Sequence, residues 1–294
     1  MPANTRELRS RIRSVDSTLH LTKAMELVAS SKIRKATLKM HAGREYADAV
    51  TETIKVLSGC QECRTSPYMR RNAAAGDAQA ALDNVAAQNP AAAQNPAVAP
   101  ERIRLIVIAG DRGMAGGYNV NVFREVQKYP DAEIYAIGRK ACARYGQDIR
   151  GTEQYSYAEA AELAKQFCAD FRKGEYDRLG ILYTKYVSMM TQTAEVRWIF
   201  PLTAPEEAAA QQVIFEPDAA EVLSETVPLY VTGILMAAVR ESYASEVSAR
   251  SAAMNSAGRN AQKMMDDLRL AYNRARQGAI TQELTEIVAG AGEG

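Results

Sequence analysis

A single apolar seam runs through the first sixty residues. Steps of alternately four and three residues select Leu8, Ile12, Val15, Leu19, Thr22, Glu26, Ala29, Ile33, Ala36, Met40, Gly43, Ala47, Val50, Ile54 and Leu57, of which twelve are apolar. A 3.5-residue repeat held this long predicts one helix over about 4–58 with a narrow contact stripe, the pattern of a coiled coil. At 1.5 Å per residue it is roughly 80 Å long, too long to lie within an ordinary domain. It is expected to project.

The last third repeats the signal through Ala244, Val247, Ser251, Met254, Gly258, Ala261, Met265, Leu268, Tyr272, Ala275 and Ala279. Six of these eleven are small, so a partner helix can approach closely. Because Pro is tolerated only in the first turn of a helix, Pro228 is taken as its start, giving a helix over about 228–289, or roughly 90 Å. Ala-Gly-Ala-Gly-Glu-Gly then ends the chain and is expected to fray.

Between the helices the period changes. The runs 104–109, 133–137, 179–183 and 195–200 are short and β-rich, and helical patterns fall at 120–128, 139–145 and 157–173. This alternation predicts an α/β domain with a mixed or mainly parallel sheet. Residues 72–100 stand apart, with Ala86-Ala87-Gln88-Asn89-Pro90-Ala91 repeated as Ala92-Ala93-Gln94-Asn95-Pro96-Ala97; little there can be buried, so a linker or surface loop is expected.

Composition narrows the function by exclusion. The 36 basic and 35 acidic residues and 47% hydrophobic content argue against a disordered polymer and give no reason to expect nucleic-acid binding. The charge is uneven, however: residues 1–60 carry +5 (11 basic against 6 acidic), and nothing basic follows Ala279, where Glu283, Glu286 and Glu293 stand. No run of 18 apolar residues occurs and the opening residues lack the apolar core of a secretion signal, so a cytosol-like compartment is expected. Cys60-Gln61-Glu62-Cys63 is half of a zinc site without a second half, and with Cys142 and Cys168 reads as reduced thiols; a redox pair is the alternative.

No catalytic constellation emerges. Gly110-Asp111-Arg112-Gly113-Met114-Ala115-Gly116-Gly117 follows a strand and opens a helix, yet matches neither the dinucleotide fingerprint nor the P-loop. It reads as a tight turn with Asp111 and Arg112 in a structural network; a phosphate cradle is the alternative. His20 and His41 are about six turns apart on one helix and cannot share a metal ion. Two features look unusual instead. Thr22 and Glu26 put polar groups into adjacent core positions, which implies that the helices diverge there or that a partner is present. Ile280, Leu284, Ile287 and Val288 form an apolar stripe beyond the reach of the first helix, an interaction patch if exposed.

Four motifs carry a resemblance: LTKAMELVASSK (Leu21–Lys32), GDRGMAGGYNVNVF (Gly110–Phe123), ASEVSAR (Ala244–Arg250) and ARQGAITQELTEIVAGA (Ala275–Ala291). The chain resembles the gamma subunits of F-type ATP synthases, over its whole length except about 72–100. The resemblance implies two terminal helices in an antiparallel coiled coil with an inserted Rossmann-like α/β domain. Its expected organisation is a shaft helix over 1–60, a linker and loop over 61–100, the insert over 101–220 and a second shaft helix over 221–294.

It also implies a function: a non-catalytic, cofactor-free central-stalk rotor, coupling rotation of a proton- or sodium-driven ring of c subunits to conformational cycling of catalytic beta subunits. The implied partners are the alternating alpha and beta subunits of the hexamer, the epsilon subunit and the c ring. The implied place is peripheral, on the cytoplasmic face of a bacterial plasma membrane. Motif by motif, Met25 falls in the segment that meets the lower helices of the beta subunits, and Arg250, Gln277, Thr281 and Glu283 match positions associated with hexamer contact and coupling. Arg250 and Gln277 are assigned hydrogen bonding, and Ile280 and Leu284 packing. The sequence departs from the family's usual residues at Met114-Ala115 (Leu-Cys), Val247 (Gln) and Gly278 (Ala). A nucleotide-binding α/β enzyme and a static coiled-coil scaffold are the alternative readings.

Overall fold

The computed structural model describes residues 3–69, 101–203 and 215–291. The repetitive 72–100 segment lies outside them. Two long helices, α1 (Ala3–Gly59) and α5 (Ala219–Ala291), flank the α/β elements β1 (Ile103–Ile108), α2 (Tyr118–Val126), β2 (Glu133–Ile137), α3 (Arg139–Tyr145), α4 (Tyr157–Lys173), β3 (Arg178–Tyr186) and β4 (Gln192–Phe200). By contacts the chain divides into two compact units, one of residues 1–33, 114–116 and 247–294, the other of 34–113 and 117–246.

In the first unit the two helices run antiparallel. Leu19 packs on Ala261 and Met265 with Val15 beside them, while Arg9 Nη2 donates to the Tyr272 hydroxyl at 3.1 Å and Ser30 meets Ser251 at 3.2 Å. As residue numbers rise on α1 they fall on α5. In the second unit the antiparallel pairing recurs, with Ala36 and Met40 against Ala244, and Gly233 admitting the Tyr46 ring so closely that a Cβ would lie 2.7 Å from it. Every position of the α1 seam is buried or half-buried, which bears out the periodicity.

The sheet has the order β2-β1-β3-β4, with β1 parallel to β2 and β3, and β4 antiparallel to β3. Strand alternation sends Ile106, Ile108 and Ile181 to one face and Leu105, Val107 and Leu182 to the other. The first face packs on α1, α4 and α5 through Leu57, Phe167, Leu223 and Leu235, and the second on α2 and α3 through Val122 and Ala141. Helix α4 begins with a capping box in which Ser156 and Glu159 satisfy each other's backbone donors; those bonds hold the Glu159 carboxyl below its ordinary value.

Two expectations change. Strands β3 and β4 extend past their apolar runs into polar residues, because the antiparallel ladder continues to Tyr186–Gln192 and Ser188 closes the turn by accepting from Met190 and Thr191 N–H. The last helix starts at Ala219, well before Pro228, which sits inside it. Ala219, Leu223 and Val227 recur every fourth residue and are 2%, 0% and 0% exposed. Burying this stripe outweighs the cost of about 3 kcal/mol of an interior proline. One window of α5 is apolar and long enough to cross a bilayer, yet 67% of it is buried inside the protein.

Candidate functional site

The unusual polar seam is satisfied internally. Glu26 accepts from Asn255 Nδ2 at 2.6 Å, and the Thr22 hydroxyl donates to the Leu19 carbonyl at 3.0 Å. Across from Thr22 stands Gly258; a Cβ there would lie in ordinary contact, 3.6 Å from Thr22 Oγ1. The helices therefore do not diverge at Thr22–Glu26, because a polar group in a seam is tolerated once a small or polar residue faces it. Met25, next to Glu26, is half-buried.

At the other end of this unit α5 outruns α1. Arg9 faces Tyr272, and among the described residues none of α1 lies opposite the part of α5 beyond about Gly278. Ile280, Leu284, Ile287 and Val288 are 44%, 57%, 67% and 72% exposed. Gln277, Thr281 and Glu283 are exposed among them. The Thr281 hydroxyl donates to the Gln277 carbonyl at 3.0 Å, and the Thr285 hydroxyl to that of Thr281 at 2.8 Å. Their protons are committed to the helix, while the Gln277 amide and Glu283 carboxylate face outward.

The sequence-identified residues do not converge on one pocket. Gln277 to Leu284 share one stretch of α5, whereas Arg250, half-buried, lies about 40 Å earlier along the same helix axis. Such a distribution suits an extended contact and not an active site.

The glycine-rich turn holds a constellation that sequence reasoning missed. The Asp111 and Arg112 N–H groups both donate to the Glu246 carboxylate, each at 3.1 Å, and Gly110 N–H donates to Asn119 Oδ1 at 2.9 Å. Glu246, on α5, is 2% exposed. A Cβ on Gly110 would lie 2.8 Å from Glu246 Cδ, so glycine is needed for the close approach. Asp111 in turn accepts from Arg139 N–H (3.1 Å), from the Thr152 N–H and hydroxyl (3.0 Å each) and from Glu153 N–H (3.1 Å). The structural network expected of this turn is present, although Arg112 joins through its backbone. Two N–H groups of this turn, those of Asp111 and Arg112, are taken by the chain's own carboxylate. The readable signal was Glu241-Ser242-Tyr243-Ala244-Ser245-Glu246, a polar pattern within the most apolar part of α5.

No group of three or more His, Cys, Asp or Glu arranged to hold a metal ion occurs among the described residues. All four cysteines are free thiols, and burial pushes Cys63 up to about 11 and Cys168 up to about 12, which disfavours the reactive thiolate.

Fold and surface together define a class: two long helices that pair antiparallel within each compact unit, flanking in sequence an α/β domain whose glycine-rich turn is bonded to Glu246 of the second helix. The chain belongs to the ATP synthase gamma chain family, for the ATP synthase family model matches residues 4–292. The ATP synthase gamma chain of Xanthomonas campestris pv. campestris is 36% identical, over 98% of this chain and 99% of the relative. That of Nitrosococcus oceani is 33% identical over 98% and 99%. Among solved structures, a chain of the Euglena gracilis mitochondrial ATP synthase (OSCP/F1/c-ring, rotational state 3) is similar with a TM-score of 0.63 and 17% identity, covering 97% of this chain and 93% of that one. A chain of the Tetrahymena thermophila mitochondrial ATP synthase central stalk/c-ring is similar with a TM-score of 0.52 and 21% identity, covering 81% and 99%.

Proposed function

We propose that this chain is the rotary central-stalk subunit of an F-type ATP synthase, turning with a ring of c subunits and imposing conformational change on the catalytic beta subunits. Family membership over the whole length supports this, and so does the reported occurrence of similar chains in a central stalk with a c-ring. The observation that carries the reading is the free end of α5, where Ile280, Leu284, Ile287 and Val288 present an apolar stripe with few charges. Such a surface can turn inside a sleeve formed by alpha and beta subunits, because apolar contact is non-directional and holds no fixed angle.

The chain itself performs no chemistry in this reading. A rotor needs only contacts that differ between the conformations of its partners, since a ligand shifts an equilibrium by its differential affinity for the two states. Gln277, Thr281 and Glu283 supply directional contacts to the hexamer beside the packing of Ile280 and Leu284; Met25 and Arg250 engage it lower on the shaft. The insert faces the epsilon subunit and the c ring. The complex places the chain peripherally at the membrane, on the cytoplasmic face in a bacterium.

Reconstitution tests the reading. The purified chain alone is expected to hydrolyse no ATP, and to restore ATP hydrolysis coupled to ion pumping when combined with alpha, beta and the remaining subunits of the complex. A chain that binds and turns over nucleotide alone, or fails to assemble with alpha and beta, contradicts it.

A further inference from the structure

Open α/β sheets bind ligands beyond the carboxyl ends of their parallel strands, where the strand order reverses. In this sheet that point lies between β1 and β3, since the chain passes from β1 to β2 on one side and returns to β3 on the other. Here α5 fills it with four polar residues from adjacent turns. Glu241 accepts from Tyr186 N–H at 2.9 Å and pairs with Arg44 at 2.6 Å. The Ser242 hydroxyl accepts from Thr184 N–H at 3.1 Å, and the Ser242 carbonyl accepts from the Tyr118 hydroxyl at 2.9 Å. Ser245 donates to the Thr184 carbonyl at 3.1 Å. Glu246 completes the set on the glycine-rich turn. All four are buried.

We propose that α5 is the built-in ligand of the α/β insert, and that Glu246 is the positioning residue that locks the insert to the shaft against twisting. This rests on the rotor reading and deepens it by naming where torque passes from insert to helix. Apolar packing between α5 and the sheet resists separation, but it is non-directional and tolerates sliding. Hydrogen bonds from residues at i, i+1, i+4 and i+5 to the end of β3 and to the turn after β1 fix both the height and the azimuth of the helix. The Glu246 bonds are the hardest to slip, because movement would strip a buried carboxylate of two backbone N–H donors. The turn keeps the geometry of an anion cradle, and its anion is the shaft.

The test uses the chain assembled with alpha and beta subunits, with a rotation probe on the insert through Met190→Cys, an exposed turn position. Turns of the probe per ATP hydrolysed are compared in the otherwise native chain, in Glu246→Ala, and in Glu246→Ala with added formate to refill the cradle. The loss of charge-assisted bonds is expected to lower turns per ATP by about threefold or more under load, with hydrolysis within about twofold of native. Formate is expected to restore at least half of the lost coupling, which a general folding defect would not allow. If Glu246→Ala does not assemble, Glu246→Gln, which keeps one acceptor oxygen, is expected to show a smaller loss of the same kind. Unchanged turns per ATP in an assembled variant, or a loss that formate does not relieve, overturns the joint. A native chain whose probe does not turn at all overturns the rotor reading instead.

Discussion

Gly138 shows how one residue can fix the join between two strands. It follows β2 at φ +96°, and a Cβ built there would lie 1.9 Å from the Ala109 carbonyl oxygen. Backbone, not a movable side chain, is the obstacle. Gly138→Ala is therefore expected to destabilise the fold by about 3 kcal/mol or more, read as a lower denaturant midpoint; native-like stability would contradict the placement of β1 against β2. The buried thiols predict a pH dependence of stability. Burial raises Cys63 from 9.0 to about 11 and Cys168 from 9.0 to about 12, so the folded state favours the protonated thiols. Their contribution is complete below pH 9 and is lost as pH rises from 9 through 11 to 12. Unfolding midpoints measured from pH 7 to 11 should hold level and then fall above 9, and a rise with pH would contradict the burial.

At the scale of elements, legibility followed the number of residues that carried each signal. The seams of α1 and α5 repeat over many turns, and their periodicity survives individual exceptions. The start of α5 rested on one residue, Pro228, whose local preference was overridden by the burial of Ala219, Leu223 and Val227. The polar ends of β3 and β4 carry no apolar period to read, since their pairing comes from the ladder itself. That the helices stay together at Glu26 is not readable locally, because Asn255, which donates to it, is more than two hundred residues away in sequence. Gly278 allows the end of α5 to be tested. It lies inside α5, and a Cβ there meets nothing within 4 Å, so Gly278→Ala should stabilise the local helix by about 0.5–1 kcal/mol. Amide exchange across residues 275–285 should slow accordingly, whereas unchanged or faster exchange would show that this turn is not a free-standing helix.

For the molecule as a whole, the sequence and the structure assign different parts of the account. The end motifs made the family resemblance legible, and the stripe from Ile280 to Val288 was readable as an interaction surface. What holds the insert to α5 was not, because Glu246 and the glycine-rich turn become one feature only when the chain folds. In that feature two N–H groups of the glycine-rich turn bind a carboxylate of the chain itself. The central claim is that this chain turns inside a catalytic hexamer, and rotation observed on single complexes of the native chain with alpha and beta subunits tests it most directly. The account predicts ATP-dependent rotation in one direction, in steps of about a third of a turn set by three catalytic beta sites. A hexamer that hydrolyses ATP at full rate around a stationary chain would contradict it.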